Sequence, residues 1–322
     1  MKLSIIIVSW NVKEDVFNCL ESIKKNPPMQ KFEIILVDNG SNDGTVQAIR
    51  NNFPNVTVVA NSKNRGFAAA NNQGIRKSQG EYILFLNPDT IIHLGSLDTL
   101  IKFMDGNDDV GICGPKLLNG DGSIQASVRR FPSFRAALHR NTIFRTLHLF
   151  RKQYHRYMMF DFKYDKQFNV DHIKGAAMIT RRSIIDNVGG MDERFFMSYE
   201  EFDFCLRIKK AGWRIVFIPD ASITHFGARS ASQIPVELRA MSLRSMFKYF
   251  RKHHGAFTTC LFSIVFKPGV ILRYMHNIVV GLLTYIVATL LFNRRRQQKA
   301  FRKVKNSALW LRKYSWPLLF KM

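Results

Sequence analysis

Between residues 3 and 105 the chain alternates short apolar runs with amphipathic stretches. Residues 3–8, 32–37, 56–60 and 82–86 have the length and the β-branched or aromatic content of strands, while 13–25, 45–52, 67–78 and 96–104 carry apolar residues at helical spacing. This β-α-β-α-β-α-β-α order predicts an α/β domain with a parallel, Rossmann-like sheet and right-handed crossovers. Asp43-Gly44-Thr45 is helix-start chemistry for the second helix.

The strand ends are the informative part of this pattern. Tyr82-Ile83-Leu84-Phe85-Leu86 reads as a strand buried on both faces, and Pro88 in Asn87-Pro88-Asp89 ends its ladder, leaving Asp89 at the sheet rim. Ile34-Ile35-Leu36-Val37 runs in the same way into Asp38-Asn39-Gly40-Ser41, and the first strand into Ser9-Trp10-Asn11. Ligands of open α/β sheets bind at the carboxyl ends of strands, so three polar termini are expected to line one crevice.

Residues 111–227 are less regular. The basic, aromatic stretch 134–157 fits either an insertion over the crevice or a helical hairpin packed on the sheet. Residues 171–180 read as one strand rich in small residues; a turn at 189–196 then leads to Glu200-Glu201-Phe202-Asp203 and a helix expected over 202–211. After Arg229 the text turns basic and helical, with an uncharged run at 278–292. Its 15 residues fall short of the roughly 20 needed for a perpendicular span, and Arg273, His276 and Arg294-Arg295-Arg296 flank it. An interfacial or re-entrant helix is therefore favoured over a crossing. The expected division is a domain over 1–228, with a nucleotide-binding half at 1–110 and an acceptor and catalytic half at 111–228, followed by a membrane-associating region at 229–322.

Charge sharpens that division. The 322 residues carry a formal net charge of +24, and from Ala228 onward 18 lysines and arginines face the single acid Glu237, so 17 of those charges lie in the last third. Phosphate-rich partners fit such a block, either nucleic acid or an anionic membrane face. Apolar side chains interleaved at 261–266 and 278–292 favour lipid over nucleic acid. Cys19, Cys113, Cys205 and Cys260 show no Cys-x-x-Cys spacing, which points away from zinc and disulfides and toward a reducing compartment. The strand pattern begins at Leu3 with no basic-then-apolar leader, against secretion by a cleaved signal.

If the strand ends converge, one crevice holds Asp38, Asp89, Glu200, Glu201, Asp203 and His225. Carboxylates with an imidazole suit Mg2+ or Mn2+ holding a diphosphate, and Asp89 and His225 are the expected ligands. Each residue also has a plain structural role: His225 as a satisfied core histidine, Asp89 as a turn or cap residue, Glu200 and Glu201 as acids placed at a helix N-terminus. The functional alternative for the glutamates is a general base. No Gly-rich phosphate loop follows the first strand, where Ser9-Trp10-Asn11-Val12 stands, so a nucleotidyltransferase and a dinucleotide-dependent oxidoreductase are disfavoured. The remaining alternative is a basic nucleic-acid- or membrane-binding protein on a non-catalytic nucleotide-binding fold.

Val8-Ser9-Trp10-Asn11, 37–45, Asn64-Arg65-Gly66-Phe67 with the residues to Asn72, Asn87-Pro88-Asp89 and the block 200–207 together resemble the family 2 glycosyltransferases of the GT-A fold, and within them the rhamnosyltransferase-like branch, over residues 2–230. The resemblance implies that Asp38 reads the pyrimidine of a dTDP- or UDP-sugar, with Asn39 beside it, Ser9 and Asn11 near base and ribose, and Arg65 in the same pocket. It implies that Asn87-Pro88-Asp89 is the family's Asp-x-Asp element, with Asn87 in place of the first carboxylate, so that metal binding rests on Asp89, His225 and the diphosphate. Glu200-Glu201 matches the Glu-Asp pair whose second acid is the base, with Glu in place of Asp. Trp213 and Arg207 match recurrent positions, the first for packing and the second on the acceptor side or for orienting the acid. The implied activity is inverting, metal-dependent sugar transfer to a lipid-linked saccharide in cell-surface polysaccharide synthesis, at the cytoplasmic face of the inner membrane, held there in a peripheral or re-entrant manner and without nucleic acid.

Overall fold

The computed structural model describes residues 1–227 and 233–321; the boundary expected at 228/229 lies outside the described residues. Twelve strands form in chain order: β1 (Leu3–Ser9), β2 (Phe32–Asp38), β3 (Thr57–Ala60), β4 (Tyr82–Leu86), β5 (Thr90–Ile92), β6 (Val110–Leu118), β7 (Ile124–Gln125), β8 (Val128–Arg129), β9 (Phe168–Asn169), β10 (His172–Ile173), β11 (Ala177–Arg181) and β12 (Arg214–His225). The helices are α1 (Lys13–Lys25), α2 (Thr45–Asn52), α3 (Phe67–Lys77), α4 (Ser96–Asp105), α5 (Phe134–Asn141), α6 (Arg151–Met158), α7 (Arg182–Val188), α8 (Glu200–Lys210), α9 (Pro235–His254), α10 (Ala256–Leu290) and α11 (Arg294–Lys321).

The main sheet runs β3-β2-β1-β4-β11-β6-β12-β5. Strands β1 to β4 are parallel, as expected, and their register aligns Ser9 with Asp38 at the shared carboxyl edge. Beyond β4 the sheet is mixed. Strand β11 inserts antiparallel between β4 and β6, and β12 then pairs parallel with β6. β1 and β4 are buried along their whole length because helices cover both faces, which is why they read as unbroken apolar runs. One core layer centres on Ile5, Leu36, Leu84 and Leu100, the other on Ile6, Phe85, Phe204 and Phe217.

Two local expectations are corrected. The stretch 171–180 is not one strand: it breaks at Lys174-Gly175-Ala176 between β10 and β11. Helix α8 starts at Glu200, so the two glutamates form its first turn instead of preceding it.

The chain divides into two compact units, Met1–Phe131 with Met159–Ile234, and Pro132–Met158 with the helices from Pro235 onward. The 134–157 stretch is helical and belongs to the second unit. There the Phe134 ring lies 4.5 Å from that of Phe250 and 4.7 Å from that of Phe262, and Ser133 caps α5 by accepting from the Ala136 amide. Helices α10 and α11 pack closely where Gly281 leaves no room for a side chain, since a Cβ would stand 2.6 Å from Val304 Cγ2. The Tyr274 and Trp310 rings stack across this pair at 4.2 Å. The uncharged run 278–292 is thus the end of a 35-residue helix with Pro268 inside it, not a free-standing 15-residue segment. By length and composition that helix suffices to cross a membrane, and Ile264, Leu272, Val279, Leu283, Ile286 and Leu290 on it are exposed.

Candidate active site

At the carboxyl edge of β1 and β2, buried Asp38 organises the rim. Its carboxylate accepts from Ser9 Oγ at 3.0 Å, from the Ser41 amide at 2.9 Å and from Ser41 Oγ at 2.5 Å. Ser41 Oγ in turn accepts from the Asn11 amide at 2.9 Å, while Asn11 Oδ1 accepts from the Asn42 amide at 2.8 Å. Asn11 sits at φ 53°, a left-handed conformation that asparagine tolerates. Buried Asn39 ties this rim to the following loop: its Nδ2 donates to Asn64 Oδ1 at 2.9 Å and its Oδ1 accepts from the Arg65 amide at 3.0 Å. The Arg65 side chain is exposed at the same edge. Gly66 beside it has φ 88°, and a Cβ there would stand 2.6 Å from Phe196 O, so only glycine fits.

The end of β4 carries the second group. The Asn87 amide donates to Ala176 O at 2.9 Å, and Thr90 Oγ1 donates back to Asn87 O at 2.7 Å, which turns the chain sharply and buries Asp89. His225, at the end of β12, meets it: Nε2 lies 3.3 Å from Asp89 Oδ1 and 3.3 Å from Asn87 Nδ2. On the other side of the ring, Nδ1 is 2.6 Å from Gln125 Oε1. The Gln125 amide is oriented by Nε2 donating to His225 O and Asn119 Oδ1, both at 2.8 Å. Its Oε1 therefore accepts and Nδ1 donates, which leaves Nε2 as the ring nitrogen turned toward Asp89 and Asn87.

A carboxylate oxygen and an imidazole nitrogen at this separation are spaced as two ligands of one cation would be. Donors of an octahedral ion bound at about 2.1 Å are spaced by about 3 Å, close to this separation, and oxygen with imidazole nitrogen suits Mn2+ or Mg2+. Among the described residues no group of three or more His, Cys, Asp or Glu converges, so a metal here would have at most Asp89 and His225 as ligands of those types.

Lys174 links this pair to the acids of α8. Its Nζ donates to Gln125 Oε1 at 2.7 Å and lies 3.3 Å from His225 Nδ1. Burial and the Arg129 charge pull its ammonium down to about 8, opposed by Asp89 and Glu201. One ammonium thus sits in the field of both carboxylates. Neither Lys174 nor Gln125 was singled out by spacing. Lys174 stands at the break before Gly175, where a Cβ would lie 3.7 Å from Glu201 Cβ.

The acids themselves are held by strained backbone. Ser198 and Tyr199 both adopt left-handed φ, 66° and 74°, and together start α8. Non-glycine residues in this region cost of order 1 kcal/mol each and cluster at functional sites. Buried Glu200 is pushed well above the ordinary carboxyl range by burial and by the neighbouring Glu201 charge. Glu201, half-buried, is also raised by burial, while the α8 amide, Arg129 and Lys174 favour its charged form. The two carboxyls are neighbours, and burial together with the Glu201 charge disfavours ionisation of Glu200. No described group bonds Oε2 of either.

Asp203 does not join this cluster. It is fully buried and pairs with Arg207 Nε at 2.8 Å, and Arg207 donates onward to Val188 O and Gly190 O at 2.6 Å. Arg207 thus clamps the 188–190 loop to α8, while Trp213 packs on the core layer of Ile184 and Ile208.

A sequence model of the family described as glycosyl transferase family 2 matches residues 4–189. An N-acetylglucosaminyl-diphospho-decaprenol L-rhamnosyltransferase of Mycobacterium tuberculosis is 30% identical over 245 residues, 69% of this chain and 75% of the relative. A dTDP-rhamnosyl transferase, RfbF, of Shigella flexneri is 24% identical over 88% of this chain and 93% of its own length. Among solved structures, the mannosyltransferase PcManGT of Pyrobaculum calidifontis, in complex with GDP-Man and Mn2+, superposes with a TM-score of 0.56 at 16% identity, covering 99% of this chain and 87% of that one. The fold is the GT-A-like arrangement of such enzymes, and with the family model spanning more than half of its length this chain belongs to the family 2 glycosyltransferases.

Proposed function

We propose that this glycosyltransferase is inverting and metal-dependent, and that it moves a hexose, rhamnose first among them, from a dTDP- or UDP-sugar to a lipid-linked saccharide. The observation that carries the reading is the 3.3 Å approach of Asp89 and His225, with Lys174 beside His225 in the field of both Asp89 and Glu201. The two relatives named as rhamnosyltransferases support the donor, and the diphospho-decaprenol in the name of one supports the acceptor.

In this reading Ser9, Asn11, Asp38, Asn39 and Arg65 form the nucleotide end of the donor pocket. Asp38 fixes both serines through its carboxylate and so presents a rigid hydrogen-bonding edge to a pyrimidine. Asp89 and His225 would hold Mn2+ or Mg2+, which when bound would supply charge neutralisation for the diphosphate leaving group. Asn87, standing beside Nε2, steadies the imidazole without adding charge.

Glu201 takes the proton of the acceptor hydroxyl as its oxygen bonds to the anomeric carbon and the carbon–oxygen bond to the diphosphate breaks. A carboxylate raised by burial but kept ionised by Arg129 and Lys174 suits a base working near neutrality. Buried Glu200, its ionisation disfavoured by burial and by the Glu201 charge, lies beside it in the first turn of α8. The exposed face of α10 and the basic last third would hold the enzyme at the anionic cytoplasmic face of the inner membrane, where a lipid-linked acceptor resides.

The test is a nucleotide-sugar panel scored for hydrolysis and transfer, with Mn2+ and with chelator. Glu201→Gln should lower kcat by roughly 10²- to 10⁴-fold with donor binding retained. Full activity in chelator, or in Glu201→Gln, refutes the assignment concerned.

A further inference from the structure

A second polar recess lies within the helical unit, lined in part by residues 140–154, inside the stretch that the family model matches, and in part by helices α9 and α10 beyond it. It holds about 210 Å³ and is lined by Arg140, Arg145, Arg239 and Arg273 with the polar side chains of Asn141, Tyr154, Tyr274 and Asn277. A single water needs only ~10–15 Å³, so the recess is ligand-sized. Four arginines converge from α5, the turn after it, α9 and α10, and no acid is among the lining residues.

Arg239 and Arg273 are held in place by neutral groups, and among the described lining residues there is no acid. Arg239 donates to Asn141 Oδ1 at 2.7 Å, Arg140 to the Tyr157 hydroxyl at 3.3 Å, and Arg273 to the main-chain oxygen of Arg140. The charges bearing on half-buried Arg273 include Arg239 and Arg145, both of its own sign. Collecting like charges in a partly desolvated recess is unfavourable without an anion. Guanidinium forks match phosphate oxygens bidentately, which lysines cannot do.

We propose that this arginine recess is a binding site for a phosphate or diphosphate group, distinct from the diphosphate site at Asp89 and His225. On the reading of the chain as a transferase for lipid-linked acceptors, its occupant is the phosphate of a lipid: Arg273 lies on the same helix whose apolar face is exposed at Leu272 and Met275. A headgroup bound there leaves its hydrocarbon beside that face.

The experiment measures binding of three probes to the full chain in chelator, which suppresses metal-dependent binding at Asp89: inorganic diphosphate, farnesyl diphosphate, and phosphatidylglycerol vesicles against phosphatidylcholine vesicles. Arg145→Gln and Arg239→Gln should each weaken binding of the occupant roughly ten- to a hundredfold, the effect of losing a charge-assisted contact. Arg145 is exposed at the rim, so its variant should keep the wild-type unfolding midpoint. Preference for farnesyl diphosphate over farnesol and over inorganic diphosphate identifies a prenyl-linked acceptor; loss confined to phosphatidylglycerol identifies a membrane headgroup; equal affinity for inorganic diphosphate identifies a free anion. Unchanged binding of all three probes in both variants overturns the site. Hydrolysis of donor with Mn2+, measured in parallel, separates the two readings: its absence from the wild type defeats the transferase mechanism while leaving the arginine site standing, and its persistence in Arg145→Gln shows that the catalytic end is untouched.

Discussion

His225 Nε2 and Asp89 Oδ1 face each other at 3.3 Å, an arrangement set from behind by Gln125, whose Oε1 accepts from Nδ1 and so turns Nε2 toward the carboxylate. Gln125 touches no substrate in the proposed mechanism, yet it decides which nitrogen is available. Gln125→Ala should weaken Mn2+ by roughly 10- to 100-fold, the usual cost of removing a partner that orients a ligand. The check is the Mn2+ concentration that half-activates donor hydrolysis; saturating Mn2+ should restore most of the rate. An unchanged Mn2+ requirement would place the ion elsewhere.

Glu200 and Glu201 make the stability of the fold depend on pH in a defined direction. Both carboxyls titrate above their unfolded values, so the native state retains protons that the unfolded chain has already released. Their contribution to stability is complete below about pH 4.3, the unfolded glutamate value, and is lost as pH rises through the raised folded values. Glu200→Gln keeps a neutral group at the buried position at every pH. Its unfolding midpoint should therefore exceed the wild type's by a few degrees at pH 8 and by much less at pH 5. Thermal unfolding of both proteins across that range measures the difference, in which titrating groups away from the Glu200–Glu201 pair cancel.

How far the sequence discloses the site depends on the span over which each contact is made. Helices α1 and α2 and strand β4 form at the expected residues because their patterns are local: an amphipathic repeat, or an apolar run closed by Pro88. Asp89 and His225 were expected together, and they meet across 136 positions of chain because β12 crosses back to pair with β5. Lys174 and Gln125 carry no such signal. Their chemistry arises only when the β10–β11 break lies beside β7, a long-range packing outcome that no periodicity encodes. The start of α8 was misplaced for a related reason: Ser198 and Tyr199 are left-handed without glycine, held so by the surrounding structure.

Arg207 is predicted to act on the fold more than on chemistry. It neutralises fully buried Asp203 and occupies the Val188, Gly189 and Gly190 carbonyls. Arg207→Met removes the close ion-pair partner of a buried carboxylate and the donors to the 188–190 carbonyls, which should cost up to about 3–5 kcal/mol. Arg207→Met with Asp203→Leu should recover part of that loss, because the stranded charge is gone. Urea denaturation of the two variants gives the comparison, and similar midpoints for Arg207→Met and wild type would show that the clamp is dispensable.

The exposed face of α10 gives the sharpest separation of membrane attachment from catalysis. Leu283 and Ile286 lie on one side of the helix, three residues apart, and both are more than half exposed. Full burial of such a side chain contributes about 1.5–3 kcal/mol, so replacing each by serine should lower partition onto vesicles by about tenfold or more per site. Neither residue belongs to the unit that carries Asp89 and Glu201, so hydrolysis of a soluble donor should be unchanged. Transfer to an acceptor embedded in vesicles should fall in step with partition, and transfer to the same acceptor in detergent should not. Co-sedimentation with phosphatidylglycerol vesicles, scored beside the two transfer assays, reads all three quantities. If Leu283→Ser/Ile286→Ser sediments with vesicles as the wild type does, this face is covered by protein instead of lipid, and the basic residues of α11 alone account for attachment.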